Sequence, residues 1–130
     1  MALLCFAFHF EALDFVERMV VSIKSARLSL LAAWSGLFAA HIVEIWFYGL
    51  AYYLCDLFGV GTLYGMTSSL DYVYFSAVVY TTLGFGDIVP DDGIHMLAGS
   101  EALVGLCLIA WSASVTYARV LTHRNRQLPP

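Results

Sequence analysis

Two long apolar runs, from about residue 28 to 55 and from about 94 to 118, limit what this chain can fold into. Each is long enough to cross a hydrocarbon core of roughly 30 Å as a helix. Backbone polar groups in lipid must be satisfied within the segment, so two spanning helices are expected. All six basic residues lie outside this pair: Arg18, Lys24 and Arg27 before the first run, Arg119, Arg124 and Arg126 after the second. Under the positive-inside rule this pattern puts both termini in the cytoplasm and residues 56–93 on the far side. Asp56, Asp71, Asp87, Asp91 and Asp92 fall in that outer segment. With 61% apolar and aromatic residues against 12% charged, the chain reads as a membrane protein. Its net charge of -4 carries little meaning, because the signs are segregated by leaflet.

Between the two spans, residues 71–82 (DYVYFSAVVYTT) are apolar and aromatic but too short to cross a bilayer. They predict a re-entrant helix. Ser68 and Asp71 have the spacing of a capping box that would close its first turn. The segment Thr81-Thr82-Leu83-Gly84-Phe85-Gly86-Asp87 follows. Gly84 and Gly86 open backbone conformations closed to other residues, so that the carbonyls of Thr82, Leu83, Gly84 and Phe85 could turn toward one line. Non-helical backbone is tolerated at membrane depth only where protein or a water-filled cavity surrounds it. A lone glycine pair is otherwise compatible with a tight turn ending in a capping Asp87.

The sequence YFSAVVYTTLGFGDIVP, with His41-Ile42-Val43-Glu44 in the first span and Glu101-Ala102-Leu103-Val104-Gly105 in the second, resembles the two-transmembrane, one-pore-loop potassium channels, especially pore-only bacterial members. The resemblance covers about residues 30–120. It implies an all-α membrane fold in which two transmembrane helices flank a re-entrant pore helix and filter. It further implies a prokaryotic plasma-membrane homotetramer, since the chain holds one filter segment and fourfold symmetry closes the carbonyl rings that replace the hydration shell of K+.

Carried over residue by residue, Thr82 would form the innermost K+ site through its carbonyl and hydroxyl. Leu83, Gly84 and Phe85 would add carbonyls above it, with Gly86 completing the filter. Thr81 and Asp87 would support the filter at its two ends. Phe85 stands where many relatives have tyrosine, and Val78 where some have a glutamate that pairs with the filter aspartate. Tyr74 is the expected substitute partner of Asp87. Gly105 is expected either as a hinge of the inner helix or as a close-packing contact. By the same matching, Ile109, Ala113 and Tyr117 would face the cavity, and Tyr117 fits an interfacial anchor equally well.

Glu44 and Glu101 are the least expected residues of the spans, because an ionised carboxylate there is expensive and usually faces protein or water. Both are expected in the outer half at similar depths behind the re-entrant helix. They are either proton-sensitive, with His41 one turn before Glu44, or fixed structural braces. His9, His95 and His123 suggest no metal set, and Cys5, Cys55 and Cys107 suggest no disulfide framework. Trp46, Tyr48, Tyr52 and Tyr53 fit an interfacial belt.

The domain division expected is therefore an N-terminal amphipathic helix over 1–27, lying along the inner membrane surface, a pore domain over 28–120 and a short basic cytoplasmic tail over 121–130. Within the pore domain the outer helix spans 28–55, the pore helix 71–82, the filter 82–87 and the inner helix 94–118. Leu13, Val16, Val20 and Ile23 carry the helical period of the first part, whose opening ten residues show no signal-peptide cleavage pattern. No arginine-repeat helix and no nucleotide-binding fingerprint occur, so gating is expected within the pore. The function expected is passive K+ conduction without an enzymatic step and with no cofactor beyond K+. A poorly selective Na+/K+ channel, a membrane subunit of a potassium transporter and a non-conducting partner subunit are the alternatives.

Overall fold

The structure, a computed structural model, describes residues 1–125. Its elements in order are α1 (Ala2–Val21), α2 (Ala26–Leu57), β1 (Leu63–Tyr64), α3 (Asp71–Tyr80), β2 (Val89–Pro90) and α4 (His95–Asn125). Among the described residues, α2 and α4 are the two helices long and apolar enough to cross a membrane. They run antiparallel, with Tyr52 bonded to Glu101 near one end and His41 bonded to Ser112 further along. The short α3 packs against both.

Spacing explains the packing. Ala33, Leu37, Ala40, Glu44, Tyr48 and Tyr52 recur at three or four residues along α2 and form its buried stripe. Val104 and Leu108 of α4 join Tyr48, Tyr52 and Phe75 in the core. Small residues set how near α3 can come. A Cβ on Gly49 would meet the Val73 Cα at 3.0 Å, so α2 and α3 touch backbone to backbone. Tyr48 and Tyr52 are fully buried, whereas Trp46 and Tyr53 are exposed. The expected aromatic belt therefore divides: the two tyrosines on the buried stripe face α3 and α4 and belong to the core.

Helix α1 does not lie flat on a surface. It stands antiparallel to α2, with Val16 against Gly36, Phe8 edge-on to Phe47 and His9 against Glu44. Its stripe of Cys5, His9, Leu13, Val16 and Val20 is buried against α2 and α4, while Glu11, Glu17 and Arg18 stay exposed. Glu17 meets Arg119 of α4 at 3.6 Å. The amphipathic period is as expected; its apolar face is satisfied by two helices instead of by headgroups.

Two boundaries also shift. Helix α3 ends at Tyr80, two residues early, because Thr82 takes a left-handed backbone. Helix α4 continues past residue 118 to Asn125, so residues 121–125 extend the helix instead of forming a separate tail, and 126–130 lie outside the described residues. The two-residue strands pair antiparallel, Leu63 opposite Pro90 and Tyr64 opposite Val89, and tie the loop before α3 to the segment after residue 87.

Candidate functional site

The segment 81–87 is built on the end of α3. Thr82 N–H donates to Val79 O at 2.9 Å and Leu83 N–H to Val78 O at 2.9 Å, the bond pair of a Schellman motif. That motif needs a left-handed residue at the position Thr82 occupies, where glycine is usual; Thr82 has φ 59°. Gly84 follows at 60° and Gly86 at 77°, while Leu83 and Phe85 are not positive. The sign of φ thus alternates over five residues. An ordinary strand of uniform φ alternates its carbonyls between faces, and alternation of φ undoes that pleat. All residues from Thr81 to Asp87 are exposed in the protomer, Leu83 and Phe85 by more than half. Thr81 returns its hydroxyl to Ala77 O at 2.7 Å.

The Asp87 end of this segment is contacted from two sides. Tyr74 donates its hydroxyl to Asp87 Oδ2 at 2.8 Å. Gly65, at φ 94°, lies so near Asp87 that a Cβ would stand 2.5 Å from its carbonyl oxygen. Asp71 organises the start of α3 by accepting the N–H groups of Thr67 (2.6 Å) and Ser68 (2.9 Å) and both their hydroxyls. Those backbone amides, Thr67 first, hold its carboxyl below the usual range. Only the carboxylate half of the expected capping box forms, because the Ser68 hydroxyl donates to Asp71 instead of accepting from its N–H.

Behind α3 lie two separate polar clusters. Glu101 accepts from Tyr52 and contacts Ser76, whose hydroxyl also reaches Ile45 O at 2.8 Å. Glu44 contacts His9 Nδ1 at 2.8 Å, His41 Nδ1 at 3.1 Å and the Tyr80 hydroxyl. Both carboxylates are fully buried. The two keep separate hydrogen-bond partners, yet they are not far apart along α2: the Ser76 hydroxyl that contacts Glu101 also reaches the carbonyl of Ile45, the residue after Glu44. His9 and Ser112 are the members that sequence reasoning missed. The signal for His9 was its place on the α1 stripe, four residues from Cys5 and from Leu13.

The remaining expected residues divide. A Cβ on Gly105 would lie 2.1 Å from Tyr80 O, so this glycine is a contact point between α4 and the end of α3, and α4 runs through it as one helix. Val78 is buried, and its carbonyl accepts from Leu83. Ile109 and Ala113 line an apolar groove of about 480 Å³ between α2 and α4, beneath Tyr80 and Thr81 and beside Trp34 and Phe38. Tyr117, one turn on, is exposed.

Two antiparallel apolar helices, a half-length helix held between them and an exposed loop of alternating backbone hand define an all-helical membrane protein of the transport class. The family profile described as "Ion channel" matches residues 40–122, from the middle of α2 through the 81–87 segment into the last turns of α4. The chain belongs to the ion channel family. No curated protein and no solved structure matches it.

Proposed function

We propose that this protein is a potassium-selective channel that conducts K+ passively through a homotetrameric pore. In this reading α3 is the re-entrant pore helix, and residues 82–86 form the filter whose carbonyls replace the hydration shell of K+. The observation that carries it is the alternation of φ sign over Thr82–Gly86, with a threonine in the left-handed region. For a β-branched residue that conformation costs roughly 1–2 kcal/mol. Glycine at that position would avoid the cost but would supply no hydroxyl. A carbonyl line with a threonine hydroxyl at its inner end is useful to a dehydrated cation and to little else.

The exposed faces favour several copies. Leu83 and Phe85 are too apolar to remain open, and one filter strand provides a single edge of each carbonyl ring. Fourfold symmetry closes the rings and covers those side chains. The open flank formed by Ile109, Ala113, Trp34 and Phe38 is then where a neighbouring protomer would pack. In this reading the α1–α2 turn and the end of α4 lie on the cytoplasmic side, following the basic residues. The expectation that both termini share that side does not hold, because α1, antiparallel to α2, carries Met1 toward the opposite end, where Ala2 and Phe6 pack on the cluster of Tyr48 and Tyr52. No chemical step is required of any residue.

Recordings of purified protein in planar bilayers, K+ opposing Na+, test this reading. Unitary currents reversing near the K+ equilibrium potential are expected. Reversal near zero would instead make the chain a poorly selective cation channel, the second reading, which Phe85 favours because no phenolic hydroxyl anchors the filter there. Thr82→Gly should keep the fold and lose the discrimination.

A further inference from the structure

Potential ligand groups converge in the buried cluster behind Tyr80. His9 Nδ1 lies 2.8 Å from Glu44 Oε1, His41 Nδ1 lies 3.1 Å from Glu44 Oε2, and the Tyr80 hydroxyl is 2.9 Å from His41 Nδ1. On the far side of both rings, Ser112 Oγ lies 3.1 Å from His9 Nε2 and 3.0 Å from His41 Nε2. In the tautomer with both rings protonated at Nε2, the two lone pairs of that hydroxyl accept from both, and both Nδ1 lone pairs face the carboxylate, free to take a cation.

We propose that His9 Nδ1, His41 Nδ1 and the Glu44 carboxylate bind a divalent transition cation of the zinc class. Two imidazoles and one carboxylate are a donor set that such ions accept, and the second shell is in place. A metal-binding histidine usually donates its other ring N–H to an oxygen that fixes the tautomer, and Ser112 does this for both rings. The ligand atoms lie within 4.8 Å of one another. Bonds of about 2.0–2.1 Å in a tetrahedron separate ligand atoms by roughly 3.3 Å, and the two imidazole–carboxylate pairs, at 2.8 and 3.1 Å, are within about half an ångström of that spacing. The Tyr80 hydroxyl, in contact with Glu44 and with His41 Nδ1, would supply the fourth ligand.

The site would join three parts of the chain. His9 brings α1, His41 and Glu44 bring α2, and Tyr80 is the last residue of α3, two before Thr82. A bound cation would therefore staple α1 to the base of the 81–87 segment. The binding proposal itself does not depend on which ion the protein conducts.

Chelator-treated full-length protein, without an affinity tag, is titrated with Co2+ and followed by its ligand-field absorption. One Co2+ per chain is expected, displaced by Zn2+, with affinity reduced at least about tenfold in His9→Gln and His41→Gln and unchanged in His95→Gln. Absence of the spectrum in the wild-type protein would overturn the proposal, as would a spectrum that survives both cluster substitutions or is lost with His95. Should the substitutions prevent folding, NMR of histidine-labelled wild-type protein decides. Zn2+ must shift two Nδ1 signals and leave their Nε2 protonated. If those signals respond to pH and not to Zn2+, an extra proton balances the cluster and no metal site exists.

Discussion

The Cα of Gly105 lies so close to the main-chain oxygen of Tyr80 that a Cβ would stand 2.1 Å from it. The obstruction is backbone, which cannot rotate aside as a side chain could. Gly105→Ala should therefore push α4 away from the end of α3, at a cost of about 1–3 kcal/mol typical of overpacking. Because Tyr80 leads directly into Thr81 and Thr82, the variant should also disturb conduction. Thermal unfolding in detergent checks the first effect and bilayer recording the second. An alanine variant with wild-type stability and altered gating alone would restore the hinge reading.

The Tyr74–Asp87 bond is exposed, so its contribution to global stability is small. Tyr74→Phe is expected to change stability by less than about 1 kcal/mol while loosening the Asp87 end of the 81–87 segment. Single-channel records should show shorter openings at an unchanged melting temperature.

Glu101 is bound by hydroxyls. Ser76 has one proton for two acceptors, Ile45 O and Glu101 Oε1, and a side-chain donor at position 101 would relieve this. Glu101→Gln provides one and should fold like the wild type. Glu101→Ala leaves Tyr52 without its partner and opens a cavity, costing about 1–3 kcal/mol for the unpaired hydroxyl alone. Comparing the two unfolding curves separates a bracing role from a charge requirement.

Tyr48 presents the reverse case. Its hydroxyl is buried and has no hydrogen-bond partner among the described residues. Tyr48→Phe removes a desolvated polar group and keeps the ring, so stability should rise by up to about 1–3 kcal/mol, read as a higher melting temperature.

Asp71 gives the start of α3 an acid limit. Its folded pKa lies below that of the unfolded chain, about 3.9 for a free aspartate, because the Thr67 and Ser68 amides bind the carboxylate. The stabilisation is present above the unfolded value and is lost as pH falls through the folded one. Hydrogen exchange in the first turn of α3 should accelerate over that acid range in the wild type. In Asp71→Asn it should be fast at every pH.

The sequence alone determined the two spans, the short helix between them and the glycines that free the backbone after it. These depend on length, apolar content and the missing Cβ, which are local properties of the chain. It also marked Glu44 and Glu101 as expensive, because a carboxylate in a span is costly wherever it points. What they touch was decided by tertiary structure. Glu101 takes Tyr52 and Ser76 as partners and Glu44 takes His9, His41 and Tyr80, a division set by how α1, α3 and α4 dock on α2. The stripe on α1 was legible, but an apolar face fits a headgroup surface as well as a helix pair, and only the Val16–Gly36 approach selects the pair. His9 and Ser112 stand 103 residues apart in the chain yet share one hydrogen bond. No periodicity connects them, because their meeting is fixed by the packing of three helices and by nothing within either one.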